Sequence, residues 1–120
     1  MRWNPVSITV AGVTGVFGNA SNKLYRPYGA TLDYLNTLYI ADRTNNRIQK
    51  YLMGSSYGVT VAGQPDGSTG ITSDYLKYPG GLTVNSDGDI YIADTVNNRT
   101  QLWKNGASTG TTVAGNSAGK

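Results

Sequence analysis

The chain has 120 residues, ten Lys or Arg against seven acidic residues and a formal charge of +3, with neither Cys nor His, a length that fits one domain. Every acidic residue is an aspartate (Asp33, Asp42, Asp66, Asp74, Asp87, Asp89 and Asp94) and Glu is absent, which excludes disulfides, thiolate metal sites and acid–base schemes that need His or Glu near neutral pH. The basic residues are scattered without a run, the pattern of a solvated surface rather than of a concentrated nucleic-acid stripe.

No segment is long and apolar enough to span a bilayer, and Met1-Arg2-Trp3-Asn4-Pro5 offers no apolar stretch for a signal peptide. Lack of cysteine does not fix a compartment.

Self-similarity organises the chain. Val10-Ala11-Gly12 recurs as Val61-Ala62-Gly63 and as Val113-Ala114-Gly115, at steps of 51 and 52. Tyr39-Ile40-Ala41-Asp42 returns as Tyr91-Ile92-Ala93-Asp94, Asn45-Asn46-Arg47 as Asn97-Asn98-Arg99, and Pro27-Tyr28-Gly29 aligns with Pro79-Gly80-Gly81, all at 52.

In chain order, residues 8–11 read as an outer strand whose sheet does not precede it. The first copy follows. In the second copy, residues 81–85 read as an inner strand, Ser86-Asp87-Gly88-Asp89 as a hairpin turn, 90–94 and 99–104 as the next two strands, and 111–114 as the outer one. No helical periodicity competes. Four antiparallel strands in a period of about 50 residues is the arithmetic of a β-propeller blade. Tyr28-Gly29 and Gly80-Gly81 open the inner strands, where small residues allow close approach. Leu38, Ile40, Leu82, Val84, Ile90 and Ile92 supply the apolar faces that pack blade on blade.

The expected organisation is all-β: residues 1–12 as a leading outer strand of a neighbouring blade, 13–63 as blade 1, 64–115 as blade 2, and 116–120 as a tail. A pair of such blades leaves apolar faces without partners, so it is expected to associate.

Tyr78-Pro79-Gly80-Gly81-Leu82-Thr83-Val84, then Asp89-Ile90-Tyr91-Ile92-Ala93-Asp94 and Asn97-Asn98-Arg99, resembles the NHL repeat. The first copy resembles it more loosely, with Tyr34-Leu35-Asn36-Thr37 in place of the Ser-Asp-Gly-Asp turn. The resemblance implies a six-bladed ring. Two blades per chain would reach six in a homotrimer with head-to-tail contacts. The surplus leading strand would pair onto a neighbour's second blade and compete there with residues 111–114.

The Asp-x-x-Asn-Asn-Arg loops repeat in both copies, and Asp and Asn close turns on nearby backbone without any ligand. Asp42, Asn46, Arg47, Asp94, Asn98 and Arg99 are therefore expected to be structural. Asp66-Gly67-Ser68-Thr69-Gly70 lacks the acidic spacing of a cation loop and reads as a turn. No Gly-x-Gly-x-x-Gly or phosphate-loop lysine occurs, and the N-glycosylation patterns at Asn19 and Asn98 are too short to inform. No catalytic residue, metal or cofactor is expected.

Nine tyrosines are more telling, because amphipathic rings give contact area at low entropic cost. Tyr28 and Tyr78 flank the prolines near basic residues, which marks Arg26, Tyr28, Arg43, Lys77 and Tyr78 as a candidate recognition rim. The expected function is a non-catalytic binding or scaffold module that offers a ligand-binding face to a protein, glycan or RNA, with a glycan-binding or an RNA-binding propeller as the alternatives; no membrane partner is expected.

Overall fold

The computed structural model describes residues 8–115. The greater part of the leading segment 1–12 and the tail 116–120 lie outside the described residues.

Among the described residues eight strands form two sheets of four. The first contains β1 (Ala30–Leu32), β2 (Leu38–Asp42), β3 (Arg47–Tyr51) and β4 (Val59–Gly63); the second contains β5 (Pro79–Val84), β6 (Ile90–Asp94), β7 (Arg99–Trp103) and β8 (Thr111–Gly115). Each sheet is an antiparallel meander with strands in chain order. The registers repeat: Asp42 faces Arg47 and Asp94 faces Arg99, and a one-residue irregularity falls at Ile48/Gln49 in one copy and Thr100/Gln101 in the other. No helix among the described residues is long and apolar enough to cross a membrane.

The turn in which the copies differ in sequence is built alike in both. Asn85 Oδ1 accepts the N–H groups of Asp87 and Asp89, and Asp33 Oδ1 accepts those of Leu35 and Thr37. Asn36, at φ 62°, stands where the second copy has Gly88 at φ 82°; asparagine tolerates this left-handed conformation better than other side chains.

One apolar core lies between the sheets. Tyr39, Ala41, Ile48 and Ala62 of the first blade meet Leu76, Ile90, Ile92 and Trp103 of the second, with Leu82 and Val84 packed alongside. Among the described residues Trp103 is the largest fully buried side chain. A ring of its type removes roughly 150–250 Å² from water, worth about 4–6 kcal/mol at about 25 cal/mol per Å². Its indole N–H donates to the Ala107 carbonyl at 2.9 Å. Gly110 lies against the ring face, where a Cβ would come within 2.6 Å of Cε3, so only glycine fits without moving the indole.

Tyr39 and Tyr91 hold the same place in the repeated Tyr-Ile-Ala-Asp strand, yet Tyr39 is 4% exposed and Tyr91 38%. The cause is position in the stack: Tyr39 faces the next blade, whereas the equivalent face of the second blade is open. Residues 8–10 form no strand in the single chain, and residues 11–12 form only a bend. A ladder needs a neighbouring edge, and β1–β4 and β5–β8 already complete their sheets.

Candidate functional site

Two groups of polar residues stand out, and they differ in kind. The first begins where β2 ends. A short 3-10 turn at Arg43–Asn45 closes on Asn46, whose left-handed conformation (φ 54°, ψ 43°) returns the chain into β3. Asn98 takes the same φ of 54°. This local path lays Arg47 beside Asp42, and Arg99 beside Asp94.

Asp42 is saturated with donors. Its Oδ1 accepts the Tyr25 N–H at 2.7 Å, and its Oδ2 accepts Arg47 Nε at 2.8 Å and Asn45 Nδ2 at 2.9 Å. Arg47 then spends its remaining donors on carbonyls of the incoming connection and of the one that follows: Nη1 on Asn19 and Pro65, Nη2 on Ala20 and Lys23. Asp94 repeats this with Lys77 N–H at 2.6 Å, Arg99 Nε at 2.8 Å and Asn97 Nδ2 at 2.9 Å, while Arg99 reaches the carbonyls of Ile71, Thr72 and Tyr75. The four charged side chains are at most 1% exposed. Burial of an ion pair is costly unless its other lone pairs and protons are met. Here backbone meets them, and the arrangement ties each sheet to the connection that leads into it.

The second group lies at the surface, with Tyr28 and Tyr78 exposed and Arg43 half-buried. The Arg43 guanidinium lies over two rings at once, 4.5 Å from the centroid of Tyr28 and 5.0 Å from that of Tyr78. Tyr28 is 68% exposed. Its backbone is pinned where β1 begins: Tyr28 N–H donates to Ala41 O at 3.0 Å, and Ala41 N–H donates to Gly29 O at 2.8 Å. Tyr78 belongs to the second blade and sits at φ 52°, held there by its N–H, which donates to Asn46 Oδ1 at 2.9 Å. A left-handed non-glycine residue costs about 1–3 kcal/mol unless its surroundings enforce it. Asn46 enforces this one, so the stack joins two blades.

Of the five rim candidates, the structure thus gathers Tyr28, Arg43 and Tyr78. Arg26 is the repeat equivalent of Tyr78, with φ 50° before its own proline, and lies instead over Tyr25 at 5.8 Å. Tyr25 in turn packs on Phe17 with ring centroids 4.4 Å apart. Lys77 is fixed through its backbone, donating to Asp94 and accepting from Val96 N–H at 3.1 Å. Among the described residues the cations paired with carboxylates are Arg47, Arg99 and Lys104, so the rim cations keep their charge uncompensated.

Sequence reasoning missed the link from Asn46 to Tyr78. The available signal was the Asn in a repeated loop, but its acceptor role depends on which blade comes next. The Asp66 loop is a turn: Asp66 Oδ1 accepts both the hydroxyl and the N–H of Ser68, which hold its carboxyl below the usual range. Among the described residues no three metal-ligating side chains gather.

The NHL repeat family model matches residues 76–101. Human NHL repeat-containing protein 2 is 34% identical over 106 residues, covering 82% of this chain, and the bovine protein of the same name is 33% identical over 106 residues. The chain spans 14% of the length of each of these relatives. It carries the NHL repeat, in an all-β structure of two propeller-like blades.

Proposed function

We propose that this NHL-repeat chain is a non-catalytic binding module that closes a propeller with further copies of itself and presents the Arg43 stack on the finished ring. The observation that carries the ligand reading is the half-buried Arg43 guanidinium lying over the exposed rings of Tyr28 and Tyr78. Stacked on two rings whose backbones are held by hydrogen bonds, and paired with no carboxylate among the described residues, it offers up to five donors at little ordering cost. The absence of His and Glu supports a non-catalytic role. The Asp42–Arg47 and Asp94–Arg99 pairs are architectural in this reading, because their polar atoms are spent on backbone.

Protein is the first ligand class. A second reading is single-stranded RNA, favoured by tyrosine rings beside unneutralised cations, since bases stack on aromatics while phosphates meet Arg. A glycan would use the rings but has less need of the charge. Binding of labelled single-stranded RNA and of a glycan panel, each at two salt concentrations, separates these: a steep salt slope marks nucleic acid, and competition by free sugar marks a lectin. Binding that survives Arg43→Ala and Tyr28→Ala unchanged would remove the rim from the site.

Two blades per chain reach a six-bladed ring as a homotrimer, for which light scattering should give about three times 12.8 kDa. The leading segment would fasten the ring on a neighbour's second blade in competition with β8. Assembly that is unchanged after deletion of residues 1–9 would argue against that role.

A further inference from the structure

The contact between the two blades shows what each of their open faces lacks. Tyr39, Ala41 and Ala62 are buried against the second blade, whereas their equivalents Tyr91, Ala93 and Ala114 are exposed. On the other side, Leu76, Ile90 and Val84 are covered by the first blade, whereas their equivalents Leu24, Leu38 and Leu32 border open space. That open side of blade 1 is a groove of about 380 Å³ lined by Leu24, Pro27, Ala30, Leu38 and Ile40, with Val10 and Ala11 at its border.

Polar geometry repeats the pattern. Asn46 bridges the blades by accepting from Tyr78 N–H at 2.9 Å and donating to Gly67 O at 3.0 Å. Its equivalent Asn98 has the same φ but is exposed and reaches, among the described residues, only Val96 O at 3.5 Å. The equivalents of its two missing partners exist in the same chain, on the groove side: Arg26 N–H, at φ 50° against 52° for Tyr78, and Gly15 O, at φ 75° against 82° for Gly67. Both halves of a second bridge are thus already in their bonded backbone conformations, but one chain cannot bring them together.

Val10 and Ala11 border the groove and are the equivalents of Val61 and Ala62, which pack at the core between the blades. Gly12 has the same φ of 79° as Gly63, at the end of β4. The groove therefore already carries a fragment of the blade it is shaped to receive.

We infer that the groove on blade 1 receives the open face of blade 2 of a second copy, with Tyr91 and Ala93 entering it and Asn98 bonding to Arg26 N–H and Gly15 O of that neighbour. The inference rests on the self-assembly reading above and specifies its junction: a repeat of the internal contact, head to tail. Apolar burial drives it, and the asparagine bridge sets its register. Residues 8–12 and the incoming β8 claim the same outer position, so one of them yields when the faces meet.

Ala93→Arg tests this, because residue 93 is exposed in the single chain while its counterpart Ala41 is fully buried at the internal contact. Sedimentation equilibrium of the 120-residue chain should show self-association, and the variant should run at 12.8 kDa with unchanged far-UV circular dichroism. Asn98→Ala should weaken association about tenfold and lower chain stability only by the strain of alanine at φ 54°, whereas Asn46→Ala should lower chain stability further because it also loses the bond to Tyr78 N–H. Wild-type association that Ala93→Arg leaves intact overturns the junction while leaving self-assembly standing. A wild-type chain at 12.8 kDa at every concentration overturns both.

Discussion

Arg47 donates to Asp42 across the first residue pair of the β2–β3 hairpin, Nε to Oδ2 at 2.8 Å, and water reaches neither side chain. The pair is the hub of a set of bonds that runs to the carbonyls of Asn19, Ala20, Lys23 and Pro65. Removing one member strands the other's charge in the interior, which typically costs about 3–5 kcal/mol. Asp42→Ala should therefore lose that much in urea unfolding, and Asp94→Ala a similar amount. Arg47→Lys should cost nearly as much, since an ammonium cannot span four carbonyls and a carboxylate. A loss within about 0.5 kcal/mol, the usual range for surface changes, would mean that the pair is peripheral to stability.

Glycines of the second blade should differ sharply in their tolerance of alanine. At Gly110 a Cβ meets the Trp103 ring, while at Gly81 it meets nothing within 4 Å. Gly110→Ala should cost about 1–3 kcal/mol as overpacking and change the near-ultraviolet dichroism of the indole. Gly81→Ala should leave both signals near wild type. Equal effects at the two sites would contradict the packing described.

Acid should weaken the chain in part through Asp89. The Asn105 N–H, donating at 2.9 Å, is the main cause that holds this carboxyl below its usual value, with Asn85 and Lys104 adding to it. A depressed folded pKa gives stability that is fully present above the unfolded value of about 3.9 and is lost as pH falls through the folded one. Thermal melts of wild type and Asp89→Asn should differ most above about pH 4–5 and converge toward pH 2. A gap that widens on acidification would reverse the assignment.

Arg43 stands apart from these because its stack is exposed. Surface cation–π contacts contribute about 0.5–1 kcal/mol, so Arg43→Ala should shift the unfolding midpoint little while abolishing ligand capture. Arg43→Lys, which keeps the charge but not the planar fork, should retain only part of the binding. A large stability loss for Arg43→Ala would place the residue among the structural ones.

The strand plan was legible because it is written twice: Tyr-Ile-Ala-Asp and Asn-Asn-Arg each mark a strand boundary, and the same register falls on both. The turn at Asp33 was harder to read, since Asp33 and Asn36 do the work of Asn85 and Gly88 with other residue types. The acceptors of Arg47 were invisible, because a backbone carbonyl has no sequence signature. Tyr39 and Tyr91 show a further reason. The same residue in equivalent strands differs in exposure because burial depends on what the next blade brings. The three-membered stack also has no image in the repeat: Gly80 and Thr95 stand where the first copy has Tyr28 and Arg43, so comparing copies hides it.

The reach of the buried arginines alters what counts as a heritable module. Arg47 holds residues 19–23 ahead of its sheet and Pro65 behind it, so a crossover placed at the edge of a sheet would sever bonds that one placed further into the connection would spare. Gene duplication that copied whole sheets without their leading connections would have produced units whose interior cation kept Asp42 but lost the carbonyls of Asn19, Ala20 and Lys23. The viable currency of recombination is a sheet together with the stretch that introduces it.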